Sequence, residues 1–514
     1  MTPALPDRPR LAPVVWWLAG ALLLVHLTVN AFGPYEFHRD ELLYLAMGRH
    51  LQWWRMDFPP FIAGVARLTQ WVGGGLAPWS VRIAPALAAS AVTLLSGWMA
   101  RRLGGGAWAQ GTAALAVAAS PMFLRTGTLY QPVVFDQLWW TLGYASLLLL
   151  SSEDRPRWWG VAAIAVGVGL LTKFSIGFFG IGVIVGVIAL PEWRRRLATP
   201  SPWLAVVAAL LIGSASIVGQ VRLGWPVRGQ LDDLQSTQLA RLGVRDFLAG
   251  QFLLGPAVLL AVLGAWALLL SARKRSARIV GIATMASFAL LAALRGKAYY
   301  IGPIYPALWA AGAVAVESVR TPRRAGLLRL GTVAAITLFG IAALPFGLPL
   351  LPPSLMARYA ARAGVTGAVT TNMGDHLPLP QDYADMLGWK AQAEAVAHVY
   401  HALPEAERTN AVIVADNYGE AGALDLYGPA LGLPQVISSA GSFWYFGPGR
   451  LPGEVVVVLG EEAEGLRRFA DSVVVAAEIS NPWVVPEEMN VKVLVARRPR
   501  TSVQAVWPSL QGRH

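Results

Sequence analysis

About eleven apolar runs, each near the roughly 20 residues that a helix needs to cross a hydrocarbon core, fill the first 350 or so residues of the chain. Their centres lie near residues 22, 90, 115, 141, 164, 182, 212, 261, 287, 309 and 339. Backbone inside hydrocarbon must satisfy its own polar groups, so runs of this kind fold as helices. The first run, within "MTPALPDRPRLAPVVWWLAGALLLVHLTVNAF", is longer than a signal-peptide core and reads as an uncleaved anchor. The runs at 158–172 and 174–190 are parted only by Lys173 and a short polar patch, and they count as two.

The basic residues between the runs are ordered. Clusters at 8–10, Arg101-Arg102, 155–157, 194–196, 273–278 and 320–329 fall in every second connection, all on one side. Cytoplasmic loops carry the Lys/Arg excess. The pattern therefore predicts an N-terminus inside and everything from about residue 353 outside. Removing any one run would break the alternation. The net charge of +12 belongs to those inner loops and calls for no nucleic acid. A composition of 55% hydrophobic residues with 21 Trp suits a bilayer rather than a soluble globule. The absence of Cys excludes disulfides, thiolate metal sites and Cys nucleophiles. No P-loop, HExxH or GxSxG occurs, and the glycine runs at 73–75 and 104–106 lack a strand–turn–helix setting.

After residue 352 the apolar runs shorten to strand length, at 411–416, 454–460, 472–478 and 491–497. Helical patterns at 382–402 and 418–429 lie among them. Strands alternating with helices predict a small α/β domain, and the prolines of "LPLLPPSLM" mark its boundary. The expected fold is thus a polytopic α-helical membrane protein over residues 1–352 with an extracytoplasmic α/β domain over 353–514.

The connections assigned to the outer face carry the candidate chemistry. Asp40 and Glu41 open the pattern "DELLYLAMGRHLQWW", which fits an interfacial amphipathic helix. Acids there interact favourably with the helix dipole, but carboxylates beside a membrane are costly and point to function. Asp136, in "YQPVVFDQLWW", lies near the outer end of the fourth run. Two acids from separate segments suit a general base with an orienting partner. Lysine is rare: 5 of the 42 basic residues, with Lys173 and Lys297 at outer ends of runs. A compact ammonium binds phosphate well; snorkelling to headgroups is the plainer use. "RGKAYYIGPIYP" adds Arg295, Tyr299 and Tyr300, a cation–aromatic cluster suited to a phosphate and a sugar ring, or to an interfacial belt. Asp40-Glu41 is no DxD motif. No cofactor is called for, and the outer carboxylates suit either a divalent cation or metal-free chemistry.

These stretches resemble the membrane-embedded GT-C glycosyltransferases, in particular the bacterial glycosyltransferase 39-like relatives of the dolichyl-phosphate-mannose–protein mannosyltransferases. The lipid A aminoarabinose transferases are more distant cousins. The matching pieces are "RDELLYLAMGRHL" with "DFPP", "FDQLWW", "LLTKFSIGFF" and "RGKAYYIGPIYPALWAAGA", then "DYADMLGWK", "VADNYGEAGALDLYG" and "NPWVVPEEMN". The resemblance implies inverting transfer of a sugar from a polyprenyl-phosphate donor to an envelope lipid, glycan or protein acceptor. The setting it implies is the outer face of the cytoplasmic membrane, among membrane lipids. It implies that Asp40, with Glu41 beside it, is or orients the base, that Asp136 is the second acid, and that Lys297 contacts the lipid phosphate. The large lumenal repeats of the eukaryotic protein mannosyltransferases have no counterpart here, which weighs against a protein acceptor. A transporter or flippase of lipid-linked sugars with an outer binding domain is the alternative. Transporters place charges near the midplane on interrupted helices, whereas the charges here sit at the ends of the runs.

Overall fold

The computed structural model describes residues 10–365, 368–371, 374–460 and 463–511, apart from the side chains of Arg273 and Lys274. Arg8 of the first basic cluster, and those two side chains of the fifth, lie outside the described residues. The chain forms two compact units. One comprises residues 1–32, 59–61 and 82–348, the other residues 33–58, 62–81 and 349–514.

The first unit is helical, and each of the predicted centres falls within a helix. Proline stands in the first turn of many of them, as in Pro132–Ser152, Pro156–Thr172, Pro200–Arg222 and Pro322–Gly347. Its fixed φ suits that position and its missing N–H costs nothing there. Among the described residues, 6 helices are long and apolar enough to cross a membrane: Pro13–Phe32, Pro78–Arg102, Pro132–Ser152, Pro200–Arg222, Arg275–Ala293 and Pro322–Gly347. A further pair, Val244–Leu254 with Ala257–Leu270, is bent by 107°. The remaining centres lie in shorter helices, such as Ala107–Ala118, Ile176–Ala189 and Tyr305–Glu317. Continuous helix length therefore accounts for fewer crossings than the eleven apolar runs suggest, because several runs are broken by turns.

Packing between these helices relies on small residues, as it must where lipid offers no hydrophobic drive for association. A Cβ at Gly264 would stand 1.9 Å from the Leu308 carbonyl oxygen, and one at Gly312 would stand 2.0 Å from that of Leu260. The two backbones touch. Beside them the fully buried Trp309 donates its Nε1–H to the Ala257 carbonyl at 2.8 Å.

The second unit is built on a mixed sheet of order β2-β1-β3-β5-β4, with β1 Ala411–Ala415, β2 Val436–Ile437, β3 Val455–Gly460, β4 Ala470–Ser480 and β5 Asn490–Pro499. Strand β1 runs parallel to both neighbours, while β5 pairs antiparallel with β3 and β4. The "VVVVLG" of β3 is buried throughout, as expected of a central strand covered on both faces. The four predicted strands are present; the two-residue edge strand β2 is additional. The helical pattern predicted at 382–402 divides into Gln381–Ala384 and Trp389–Ala402, since the chain turns at Gly388 with a φ of +91°.

Residues 33–58 belong to this same unit. Glu36 N–H donates to the Met386 carbonyl at 2.9 Å and Arg39 N–H to that of Asp385 at 3.1 Å. The helix expected to lie at the interface runs only over Arg39–Arg49, and Glu41 through Gly48 are all buried. The run "LLYLAM" leaves it no polar face, so it is a core helix and not an amphipathic one. It crosses the helix Tyr418–Tyr427 at Gly422, where a Cβ would come within 2.6 Å of Leu42 Cβ. The amphipathic helix of this connection is Phe61–Gly73, which buries Ile62, Ala63 and Ala66 and exposes Leu68, Trp71 and Val72.

Candidate active site

The sequence-predicted residues divide between the two units. In the second unit the Arg39 helix begins with a capping box of unusual make-up. The His38 ring accepts the Asp40 N–H on Nδ1 at 3.1 Å, and the Glu41 carboxylate accepts the His38 N–H at 2.7 Å. These two side chains satisfy the helix start, so Asp40 is released from capping. Its Oδ1 instead accepts the Tyr418 hydroxyl at 3.0 Å. The Arg39 guanidinium stands 4.9 Å from the centre of the Tyr418 ring, 3.0 Å from Glu487 Oε1 and 3.7 Å from Asp385 Oδ1. Behind them the buried Glu488 accepts from Asn417 Nδ2 at 2.9 Å and from Gln392 Nε2 at 2.8 Å. The side chain of Asp40 is 31% exposed against 2% for Asp385, so of these two carboxylates Asp40 is the one that meets solvent.

Charge is concentrated in this pocket of side chains. Burial pulls the His38 ring down, but Asp382, Asp40 and Asp385 outweigh it and push it up to about 9. That charge balance opposes the cap, since a second proton on Nδ1 would end its acceptor role and face Asp40 Oδ2, 3.9 Å away. The other nitrogen, Nε2, faces Asp382 and Asp385 at 3.7 Å each. Burial raises Asp385 to about 6 against the pull of His38 and Arg39. Glu420 and Glu488 are both raised, mainly by burial, and Glu420 further by the charge of Glu488. Among the described residues no group of three or more His, Asp and Glu could hold a metal ion.

The first unit gathers most of the other predicted residues. Asp136, buried near the start of Pro132–Ser152, accepts Ser175 Oγ at 2.8 Å and Trp140 Nε1 at 3.0 Å. Lys173, in the break between Pro156–Thr172 and Ile176–Ala189, is the cation whose field reaches it. The Lys173 ammonium lies 4.9 Å from the centre of the Tyr300 ring, which packs edge-on to Tyr299 at 4.8 Å. Lys297 donates to Gln238 Oε1. Arg295 is exposed in a left-handed conformation, φ +54°, at the turn that ends the preceding helix. Asp136, Lys173, Tyr299 and Tyr300 are thus brought together, whereas Lys297 bonds to Gln238 of the 226–241 segment and Arg295 is exposed.

The residues that sequence reasoning left unassigned are His38, Asp385, Tyr418 and Glu488. All lie in or beside "RDELLYLAMGRHL", "DYADMLGWK", "VADNYGEAGALDLYG" and "NPWVVPEEMN", which the fold draws into one place within the second unit. Their clustering of charged and aromatic residues was the available signal.

Bundled apolar helices with long charged connections, followed by a small α/β unit, give the chain a fold like that of the GT-C glycosyltransferases. The family model for the dolichyl-phosphate-mannose-protein mannosyltransferases matches residues 57–218. The chain is similar in structure to ArnT from Cupriavidus metallidurans bound to undecaprenyl phosphate, with a TM-score of 0.63 at 18% identity over 94% of this chain and 97% of that one. The apo state of the same protein gives 0.60 at 19% identity, over 97% and 98% of the two chains. The apo oligosaccharyltransferase of Archaeoglobus fulgidus gives 0.52 at 12% identity, over 86% of this chain and 69% of that one. At these identities the likeness is one of fold. No curated protein matches the chain in sequence.

Proposed function

We propose that the protein transfers a sugar from a polyprenyl-phosphate donor to an acceptor hydroxyl, on a lipid, glycan or protein, at the outer face of the cytoplasmic membrane. The acceptor oxygen attacks the anomeric carbon from the face opposite the phosphate. The carbon–oxygen bond to phosphate breaks, the polyprenyl phosphate leaves with the electron pair, and the acceptor proton passes to Asp40. Catalysis of this kind needs a placed base, a cation for the leaving phosphate and an apolar groove for the lipid. Asp40 is the base, with His38 and Glu41 holding the backbone that carries it. Lys173, with Lys297 and Arg295, meets the phosphate; Tyr299 and Tyr300 meet the sugar, and Asp136 is the counter-charge that fixes Lys173. Residues 1–352 form the membrane domain that takes the donor, and 353–514 lie outside.

The observation that carries this reading is the Asp40 carboxylate. It sits at a helix start whose capping is done by others, reaches solvent, and is oriented by the Tyr418 hydroxyl. A donor of this class is supported by the undecaprenyl phosphate held by the ArnT structure of like fold. Purified protein in liposomes, given labelled polyprenyl-phosphate sugars and a lipid extract as acceptor, releases free polyprenyl phosphate as the sugar moves. Movement of intact donor between leaflets with no release of the phosphate carrier would replace the transferase with a flippase.

A further inference from the structure

Tyr418 is the first residue of the helix Tyr418–Tyr427 and follows β1 by two residues, Asp416 and Asn417. Its backbone is pinned. Asn417 Oδ1 accepts the N–H groups of Gly419 at 2.8 Å and Glu420 at 3.1 Å, and Glu420 returns the bond to Asn417 N–H at 3.2 Å. Asn417 is tied in turn to the buried Glu488, and Glu488 to Gln392 of the helix Trp389–Ala402. A carboxyl end of a parallel strand that leads into a capped helix is where α/β sheets place functional groups. What this one presents is a phenol hydroxyl, donating to Asp40 Oδ1 at 3.0 Å under the Arg39 guanidinium.

From this juxtaposition we infer that the C-terminal α/β segment completes the catalytic site, with Tyr418 as the positioning residue that fixes the Asp40 carboxylate toward the acceptor. The inference rests on the reading of Asp40 as the base. An aspartate in the first turn of a helix has rotamers to choose from; in the one present Oδ1 accepts the Tyr418 hydroxyl while Oδ2 stands 3.9 Å from His38 Nδ1. A rigidly mounted donor on one oxygen selects a single rotamer, and placement to about 0.5 Å is what a working base requires. Asp382 and Glu487, also solvent-reaching, add negative charge near this position, with side chains 43% and 52% exposed.

The test is a double-mutant cycle in the liposome assay, with turnover and apparent donor affinity measured separately and the thermal midpoint followed alongside. Tyr418→Phe keeps the ring beneath Arg39 and removes only the hydroxyl. Turnover is expected to fall on the order of tenfold with donor affinity unchanged, and the same substitution is expected to add nothing in an Asp40→Asn background. Turnover within about twofold of wild type, or an equal loss in the Asp40→Asn background, overturns the role of Tyr418 while leaving Asp40 as the base. Normal turnover by Asp40→Asn itself removes the base, and this inference with it. Where the phenylalanine variant fails to accumulate, 3,5-difluorotyrosine at 418 takes its place, because it keeps the size and changes only the donor strength of the hydroxyl. A change in turnover that disappears in the Asp40→Asn background supports the role, and unchanged turnover overturns it.

Discussion

His38 and Glu41 change what a substitution at Asp40 tests. Because they carry the capping box, Asp40→Asn leaves the helix start intact and removes only proton affinity. Turnover should fall by a factor on the order of 10² with the protein abundant and inserted. Glu41→Ala should do the reverse, removing the acceptor of the His38 N–H and so destabilising the helix start with little effect on turnover, because the carboxylate faces that group inside the fold. Parallel measurement of initial rate and thermal midpoint for the two variants separates base from cap, and equal rate losses would deny Asp40 its special place. Lys297→Ala should weaken use of the lipid donor, and Lys297→Arg should retain part of it, since the charge survives while the shape of the head changes; an unaltered apparent donor affinity in the alanine variant would take Lys297 out of the phosphate site. His38 gives a pH dependence of known sign. Its folded value, about 9, lies above the ordinary 6.5, so its contribution is fully present below about pH 6.5 and is lost as pH rises through about 9. The thermal midpoint should therefore decline over that window, and decline less in His38→Asn, where a side chain that does not titrate replaces the ring. At this scale the sequence disclosed Asp40, Asp136 and Lys173, because charge beside apolar runs is conspicuous. Tyr418 was hidden, since its partner lies 378 residues away and no local pattern encodes such a meeting.

Between elements, the decisive contacts are made by what glycine lacks. Gly264 and Gly312 let two helices approach until each would-be Cβ falls on the other's carbonyl oxygen. A methyl group there has no rotamer with which to escape, so Gly312→Ala should abolish the folded bundle or lower its thermal midpoint sharply. Gly326 has nothing within 4 Å of its would-be Cβ, and Gly326→Ala should be silent or slightly stabilising. Like midpoints for the two variants, read by a fluorescence-detected thermal shift in detergent, would mean that the close approach is not a constraint. The same logic applies at Gly422, where the Arg39 helix crosses the Tyr418 helix. Hydrophobic length made the helices and four strands legible, because the run lengths differ by a factor of about three or four between a span and a strand. The crossing points were not legible, since a glycine that permits contact and a glycine that permits a turn look alike in sequence. The Arg39 helix was misjudged for a related reason: burial on all sides depends on which element covers it, and its covering helix lies beyond residue 400.

Across the whole molecule, the proposed number and direction of crossings rest on charge and length together. A helix rises about 1.5 Å per residue, so 12 residues of Ala107–Ala118 or 14 of Ile176–Ala189 cannot alone cover a core of about 30 Å. Several short helices, however, continue into a neighbouring piece. Ala107–Ala118 is followed by Pro121–Thr128, Tyr305–Glu317 is preceded by the 3-10 stretch Ala298–Ile304, and Ala257–Leu270 by the bent segment Val244–Leu254. In residue number the first two composites match a span, whereas the third is bent by 107°. On the proposed topology every composite counts as one crossing, so that Arg101-Arg102, 155–157, 194–196, 273–278 and 320–329 share the cytoplasmic side and residues from about 353 are expected on the far side from the N-terminus. A reporter active only in the cytoplasm should accordingly be silent when fused after Arg450 and active when fused after Arg324. Activity at Arg450 would mean that one composite turns back without crossing, and the acid-bearing connections around Asp40 and Lys173 could no longer share a face.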